Sequence, residues 1–253
     1  MGVEKPVIKR IAFTISILAM SGATACGNQV TPNPPELGPG GAPPGYLAIH
    51  FDTQSSFNFS NYQYMVVFNT TGSEVTPSTQ TIQTNWAGYA FALMAYGNGI
   101  NTAAQLVQFV HNKNPKQSPT WQPLPTTPTQ LSFNPNSNGA GTEYSMIAQR
   151  IIFKGIPTSG AAPEPAATPS SNWTFNAFVT QASNAGPWVF YDSMGSGGPN
   201  PPEFVSPVLN MNACFDNTYA ARIYVPPDPA AQILSVEISN NPAPPNSCSN
   251  TTL

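Results

Sequence analysis

From Tyr46 onward, apolar and polar residues alternate more often with a period of two than with a period of 3.6. A period of two is typical of β-strands that bury one face. A helical turn is expected only around Ala103 and Ala104. Segments rich in Val, Ile, Phe, Tyr and Trp predict strands at Tyr46–Phe51, Tyr62–Asn69, Gly88–Tyr96, Gln105–His111, Ser145–Phe153, Trp173–Gln181, Trp188–Asp192, Tyr219–Val225 and Gln232–Ser239.

Residues that favour tight turns separate these segments, at Asn69–Gly72, Gly97–Gly99, Asn136–Gly141 and Gly195–Pro202. Many short strands with frequent turns predict an all-β fold, an antiparallel β-sandwich with long proline-rich loops. The spacing of the strands resembles that of immunoglobulin-like and similar sandwiches. The Cys…Trp…Cys arrangement of true immunoglobulin domains is absent from the sequence.

The sequence predicts one sandwich domain over residues 46–240, followed by a C-terminal tail at 241–253. A segment rich in proline and alanine, Gly155–Ser171, could divide the domain near 156–171. The part that follows it is about 80 residues long and ends in an unstructured tail, so it would be marginal alone. We therefore expect one domain with a surface excursion there, and a second surface loop at the proline-rich Asn114–Pro128.

Composition narrows the class of protein. Charged residues make up 8% of the 253 residues, and 29 residues are proline. An ordinary soluble domain has about 25% charged residues. The 40% hydrophobic and 11% aromatic residues are enough to build a core. The profile is unlike that of a cytosolic enzyme and favours a turn-rich β domain.

The N-terminus has the three parts of an export signal over residues 1–25. Lys5, Lys9 and Arg10 give a positive start, an apolar run covers Ile11–Met20, and small residues occupy Ala23–Ala25 before Cys26. The uncharged stretch is too short to span a bilayer comfortably, and no later segment approaches the necessary ~20 apolar residues.

The residues Ala23-Thr24-Ala25-Cys26 resemble the lipobox of bacterial lipoproteins, in which small residues precede a lipid-modified cysteine. The resemblance implies that a diacylglyceryl group joins Cys26, that cleavage occurs before it, and that its new amine is acylated. Ala23 departs from the family, which usually has leucine there. Ala23–Ala25 also suits an ordinary signal peptidase, which would release a soluble secreted protein. Residues 26–45, rich in proline and glycine, have the composition of a tether some tens of Å long.

Cys214 and Cys248 remain once Cys26 is assigned to lipid. In an oxidising compartment a disulfide between them would close a loop of about 35 residues and contribute roughly 3–4 kcal/mol. Unlinked thiols are the alternative. A metal site is less favoured, because no Cys-x-x-Cys motif or His cluster accompanies the two cysteines.

The sequence contains few groups with catalytic potential. His50 and His111 are its two histidines, so HExxH chemistry is excluded and a multi-histidine metal site is not expected. The segment Ser193–Gly198 lacks the lysine of a phosphate loop and is interpreted as a turn. His50 and Asp52 should share a strand face, but no nucleophile accompanies them. The remaining acids that we considered for paired-carboxylate chemistry are interpreted with Asp52 as surface acids: Glu143, Asp192 and Asp216.

Aromatic residues are the candidate ligand contacts. Trp121 lies in the proline-rich loop, and Tyr62 and Tyr64 flank Gln63 on a predicted strand, where they could line a groove. Buried positions are the commoner alternative for strand tyrosines. Trp173 and Trp188 lie in alternating patterns and are predicted to be core residues.

Charge and location complete the functional hypothesis. Without residues 1–25 the chain has five basic and ten acidic residues, so nucleic acid is not an expected partner. We expect no cofactor. The favoured function is a noncatalytic binding or structural module of the cell envelope, lipid-anchored to the cell membrane or outer membrane outside the cytoplasm, with a glycan or an envelope protein as its partner. The alternative is an extracytoplasmic hydrolase that acts on polysaccharide.

Overall fold

The computed structural model describes residues 42–71, 86, 88–110, 120–154, 171–182, 189–195, 207–221 and 225–248. These residues contain no α-helix, and short 3₁₀ turns lie at Arg150–Ile152 and Pro229–Ala231. They form the strands β1 (Tyr46–Thr53), β2 (Tyr62–Asn69), β3 (Phe91–Gly97), β4 (Thr102–Val110), β5 (Thr120–Leu124), β6 (Leu131–Asn134), β7 (Glu143–Gln149), β8 (Asn172–Gln181), β9 (Phe190–Ser193), β10 (Val208–Asn210), β11 (Phe215–Ala220) and β12 (Ile233–Asn241).

The strands form two antiparallel sheets packed face to face, which confirms the predicted all-β sandwich. Sheet A has five strands in the order β11-β12-β1-β7-β6. Sheet B has seven strands, with the path β10-β8-β2-β3-β4-β5, and β9 pairs with β8 beside β10. The first strand of the domain, β1, is thus the central strand of sheet A, paired with β12 and β7 over most of its length.

Alternation along β1 explains how sheet A is oriented. Leu47, Ile49 and Phe51 are fully buried in the core between the sheets. Successive side chains of a strand point to opposite faces. His50 and Asp52 therefore project from the outer face of sheet A, and both are half-buried there.

The central strands of sheet B, β8, β2 and β3, are buried on both faces over most of their length, which a simple one-faced strand pattern does not describe. Every residue of β2 is buried, because its consecutive apolar residues serve two clusters. Tyr64, Val66 and Phe68 join the core between the sheets, whereas Met65 and Val67 join a second cluster on the outer face. A continuous apolar run of this kind is typical of a strand covered on both sides.

Trp86 lies at the centre of this outer cluster. Its ring stacks on Phe109, with centroids 5.3 Å apart, and it meets the edges or faces of Trp121, Phe178 and Phe190 at 5.3–5.5 Å. Trp86 is fully buried and has a φ of 53°, in the left-handed region that large side chains rarely adopt. Packing against aromatic residues of four strands, β4, β5, β8 and β9, outweighs that conformational cost.

Three sequence predictions are corrected by the strands. Ala103 and Ala104 lie in β4 opposite Tyr96 and Ala95, so the predicted helical turn is wrong. The predicted loop Asn114–Pro128 contains β5, which pairs with β4. The strand predicted at Ser145–Phe153 ends at Gln149 and continues as a 3₁₀ turn. Two short strands, β6 and β10, were not predicted.

Several predicted features lie outside the described residues. They are the signal peptide at 1–25, Cys26, most of the tether at 26–45, His111, residues 155–170 of the proposed excursion, and Trp188. The division of the chain into these segments stays a prediction.

Candidate functional site

Tyr62 and Tyr64 lie in the core between the sheets, with 7% and 0% of their surface exposed. The Tyr62 hydroxyl donates to Asp228 Oδ2 at 2.8 Å, and the Tyr64 hydroxyl donates to the carbonyl of Ala230 at 3.0 Å. Both tyrosines thus join β2 to the 3₁₀ turn at Pro229–Ala231. Tyr64 has no surface with which to contact a ligand, and Tyr62 has almost none.

Trp121 is held by the outer cluster of sheet B. It lies on the edge strand β5, is half-buried, and meets Phe109 edge-on with centroids 4.9 Å apart. Trp173, predicted as a core residue, is buried between the sheets against Phe68 and Phe153. The aromatic residues that sequence reasoning singled out are therefore mainly structural.

The outer face of sheet A brings together acids that the sequence separates by up to 185 residues. We call this set the acidic face and define it as His50, Asp52, Glu143, Asp216 and Glu237. Nδ1 of His50 lies 3.0 Å from Oε1 of Glu143. Asp52 pairs directly with Glu143 across β1 and β7, and Glu237 lies opposite His50 on β12.

Serine hydroxyls complete the hydrogen bonding of the acidic face. Ser137 donates to Glu143 Oε1, Ser235 donates to Asp52 Oδ2 at 2.8 Å, and Ser239 donates to Asp216 Oδ1 at 2.7 Å. The face is therefore an ordered network rather than a set of freely moving surface charges.

The network shifts the ionisation of its members in opposite directions. Burial opposes ionisation of Glu143, but hydrogen bonds from Ser137 and His50 outweigh it, and the pKa of Glu143 is lowered. Burial, together with the neighbouring charge of Glu143, raises the pKa of Asp52. Burial and a hydrogen bond with Asp216 raise the pKa of Glu237. Neighbouring carboxyl groups that cannot all ionise together share protons in this way.

The geometry does not suit the chemistry considered for these acids. Asp52 and Glu143 are close enough to share a hydrogen bond, whereas the carboxyl groups of glycoside hydrolases are held roughly 5–10 Å apart around the scissile bond. No group of three or more His, Cys, Asp or Glu side chains in the described part of the chain is arranged to hold a metal ion.

Asp192 was expected to be a surface acid, and this prediction is wrong. Its side chain is 2% exposed. Oδ2 accepts from the backbone N–H of Ile233 at 2.7 Å, and Oδ1 accepts from the N–H of Ser193 at 2.9 Å. Burial raises the pKa of Asp192 to about 7, although both hydrogen bonds lower it. The carboxyl group links β9 of sheet B to β12 of sheet A and has a structural role.

A groove of about 760 Å³ opens at the end of the sandwich where β1 begins and where β7 and β12 end. We call it the Arg150 groove. Its volume is in the range of small-ligand sites. The described residues that line it are Pro44, Gly45, Tyr46, Gln149, Arg150, Ile151, Ser171, Trp173, Asn212, Pro242, Ala243 and Asn246.

Gly45 ties three segments of the groove together. Its N–H donates to the carbonyl of Asn241 at 2.7 Å, and its own carbonyl accepts from the N–H of Arg150 at 2.9 Å. Its φ of 85° lies in the left-handed region, which a glycine adopts without cost. The Tyr46 hydroxyl accepts from Gln149 Nε2 at 2.5 Å, which fixes the ring of Tyr46 at the groove.

Arg150 is the one charged side chain among the described residues that line the groove. It is half-buried, and its Nε is buried without a hydrogen-bond partner. Burial lowers the pKa of Arg150. Among the residues that the structure describes, no acidic side chain contributes to that shift. Sequence reasoning missed Arg150, although a single cation directly before the apolar run Ile151–Phe153 is a detectable signal.

The Cys214–Cys248 disulfide holds one wall of the groove, which confirms the predicted pairing. Their Cα atoms are 5.7 Å apart. The N–H of Cys248 donates to Oδ1 of Asn241 at 2.8 Å. The segment 242–246, which supplies Pro242 and Asn246 to the groove, is thus fixed at both ends.

Comparisons with protein-family models, with curated proteins and with solved structures found no match for the chain. No helix in the described ranges has the length and apolar character needed to cross a membrane.

Proposed function

We propose that this chain is an exported bacterial lipoprotein, anchored through lipid on Cys26, whose β-sandwich is a noncatalytic binding module of the cell envelope. Its partner is a glycan or an envelope protein. The anchor rests on the lipobox-like residues Ala23–Cys26. Two or three acyl chains would hold the protein stably at the cell membrane or outer membrane.

The observation that carries the extracytoplasmic location is the Cys214–Cys248 disulfide. Disulfides form and persist in oxidising compartments such as the periplasm and the cell surface, and they are rare in the cytosol. The bond links Cys248, in the segment that follows β12, to Cys214 beside β11.

A binding role is supported by the Arg150 groove, which combines a small-ligand volume with a lining of both apolar and polar residues. A hydrolase role has less support, because Asp52 and Glu143 lie directly opposite each other on adjacent strands and the neighbouring charge of Glu143 raises the pKa of Asp52. Fold alone does not select between these roles.

Metabolic labelling with a radioactive or clickable fatty acid tests the anchor. The full chain should take up label, and Cys26→Ser should not. Equal labelling of both chains would reject lipidation. Non-reducing mass mapping should find a peptide that links Cys214 to Cys248, and free thiols at both positions would contradict the proposed compartment.

Incubation of the purified protein with envelope polysaccharides separates the two roles. The binding module should retain a polysaccharide or a protein without releasing new reducing ends. Release of reducing ends, lost in Glu143→Gln, would favour the hydrolase.

A further inference from the structure

Arg150 is a cation in the groove for which the described part of the chain supplies no counter-ion. The ion pair within the described ranges joins His50 to Glu143, on the outer face of sheet A. Arg150 has no such partner there, and its buried Nε donates no hydrogen bond. Leaving a buried charged donor unsatisfied is costly, about 1–3 kcal/mol or more. An anionic ligand in the groove could therefore compensate a charge and a hydrogen-bond donor that the described residues leave unsatisfied.

The shape of the guanidinium group limits which anions fit the groove. Its N–H donors form a planar fork that matches the two oxygens of a carboxylate or the oxygens of a phosphate. One cation at the groove favours a singly charged group. A membrane phosphate surface is disfavoured, since the chain after residue 25 has ten acidic and five basic residues and would be repelled by anionic lipids.

The remaining lining is typical of a carbohydrate site. Gln149, Asn212 and Asn246 supply amide groups that can donate and accept hydrogen bonds with hydroxyls. Asn212 and Asn246 are exposed at the rim. Tyr46 supplies an aromatic ring whose hydroxyl is fixed by Gln149, so the ring is already ordered before a ligand binds.

We infer that the Arg150 groove binds an acidic saccharide, with the carboxylate of the sugar on the Arg150 guanidinium and its hydroxyls on the amides of the rim. This inference rests on the proposed binding function and specifies its ligand class. The disulfide at Cys248 contributes to the binding site, because it fixes the segment that forms one wall of the groove.

The test uses the full chain in detergent on an array of immobilised envelope and plant glycans, printed as matched pairs. Each pair contains a carboxylated sugar, such as a uronate or muramyl oligosaccharide, and the same sugar with its carboxyl group reduced to an alcohol. The protein should bind at least one carboxylated member and bind its reduced partner at least about tenfold more weakly.

Two variants test whether the sugar binds at Arg150. Arg150→Gln replaces the charged guanidinium by a shorter, neutral amide, and it should weaken binding by roughly tenfold to a hundredfold. Lys154→Gln is the matched control, since it removes an exposed positive charge four residues away that does not line the groove. It should bind like the parent chain. Circular dichroism and urea unfolding check that both variants are folded.

Three outcomes would overturn the inference. They are equal binding of every carboxylated and reduced pair, unchanged binding by folded Arg150→Gln, and binding to phosphatidylglycerol vesicles without binding to any carboxylated sugar. Retention of a neutral glycan or an envelope protein independently of Arg150 would also overturn it, and the proposed function would then stand. Loss of fatty-acid labelling would remove the proposed anchor without changing the array result.

Discussion

The buried carboxyl group of Asp192 should make the protein less stable as the pH rises from about 4 to about 7. Burial raises its pKa from 3.8 to about 7. The folded state thus keeps a proton that the unfolded state releases in this pH range. Since the folded state binds more protons, the free energy of unfolding falls as the pH rises, and the contribution is lost above about pH 7.

The magnitude follows from the shift of about three pKa units, each worth 1.36 kcal/mol, so the full effect of Asp192 is about 4 kcal/mol. Between pH 5 and pH 8 the expected loss is roughly 2–3 kcal/mol. For a domain of this size that corresponds to a decrease in melting temperature of about 5–10 °C.

Urea unfolding followed by tryptophan fluorescence at pH 5 and pH 8 measures this loss. Asp192→Asn removes the titration. It also loses one hydrogen bond, because its amide NH₂ would face a backbone N–H of Ser193 or Ile233. That cost is the same at both pH values and cancels when the two measurements on the variant are subtracted.

The difference between pH 5 and pH 8 should therefore be smaller in Asp192→Asn by roughly 2–3 kcal/mol. Asn98→Ala is the control, because the exposed Asn98 side chain also accepts hydrogen bonds from backbone N–H groups and does not titrate. It should keep the pH dependence of the parent chain. Identical pH dependence in the parent and in Asp192→Asn would refute the reasoning.

Three further predictions concern the disulfide, the outer cluster and the acidic face. Replacing Cys214 and Cys248 by serine should lower the free energy of unfolding by roughly 3–4 kcal/mol, measured in urea, and equal stability would show that the bond is not formed. Trp86→Ala should lower the free energy of unfolding by about 3–5 kcal/mol, more than Trp121→Ala, because Trp86 is fully buried and Trp121 is half-buried. A loss below about 1 kcal/mol for Trp86→Ala would contradict its central packing. Glu143→Gln should lower the free energy of unfolding by less than about 1 kcal/mol at pH 7. The difference from the parent chain should vanish as the pH falls below the lowered pKa of Glu143, because the carboxylate is then protonated in both the folded and the unfolded state. A difference that grows on acidification would contradict this sign.

Some features of the fold could be predicted from the types of a few residues in the sequence alone. The strand predicted at Tyr62–Asn69 is β2 with the same bounds, because its β-branched and aromatic residues leave no competing conformation. The pairing of Cys214 with Cys248 also followed from the sequence, once Cys26 was assigned to lipid. Both inferences depend on few residues, and neither requires knowledge of how the sheets are paired.

Predictions failed where distant contacts decide the structure. Ala103 and Ala104 are good helix formers, yet pairing of β4 with β3 places them in a strand. Pro123 argued against a strand, but it lies in β5 at the edge of sheet B, where a missing N–H is tolerated. Asp192 can be buried because the backbone N–H of Ile233, 41 residues away, donates a hydrogen bond to its carboxyl group.

The candidate site depends on the same kind of long-range contact. Arg150 meets Asn246 and Trp173 in one groove only because three chain segments end at the same end of the sandwich. No spacing rule joins them in the sequence. The aromatic residues chosen from local patterns, Tyr62 and Tyr64, instead serve the core.

Under the proposed anchor at Cys26, the position of β1 has a mechanical consequence for the domain. A pull on the preceding segment acts along β1, which is hydrogen-bonded on both sides to β12 and β7. These bonds lie perpendicular to the strand, so they must shear together rather than open one after another like a zipper. The sandwich should therefore withstand tension from its attachment point better than a domain suspended from an edge strand.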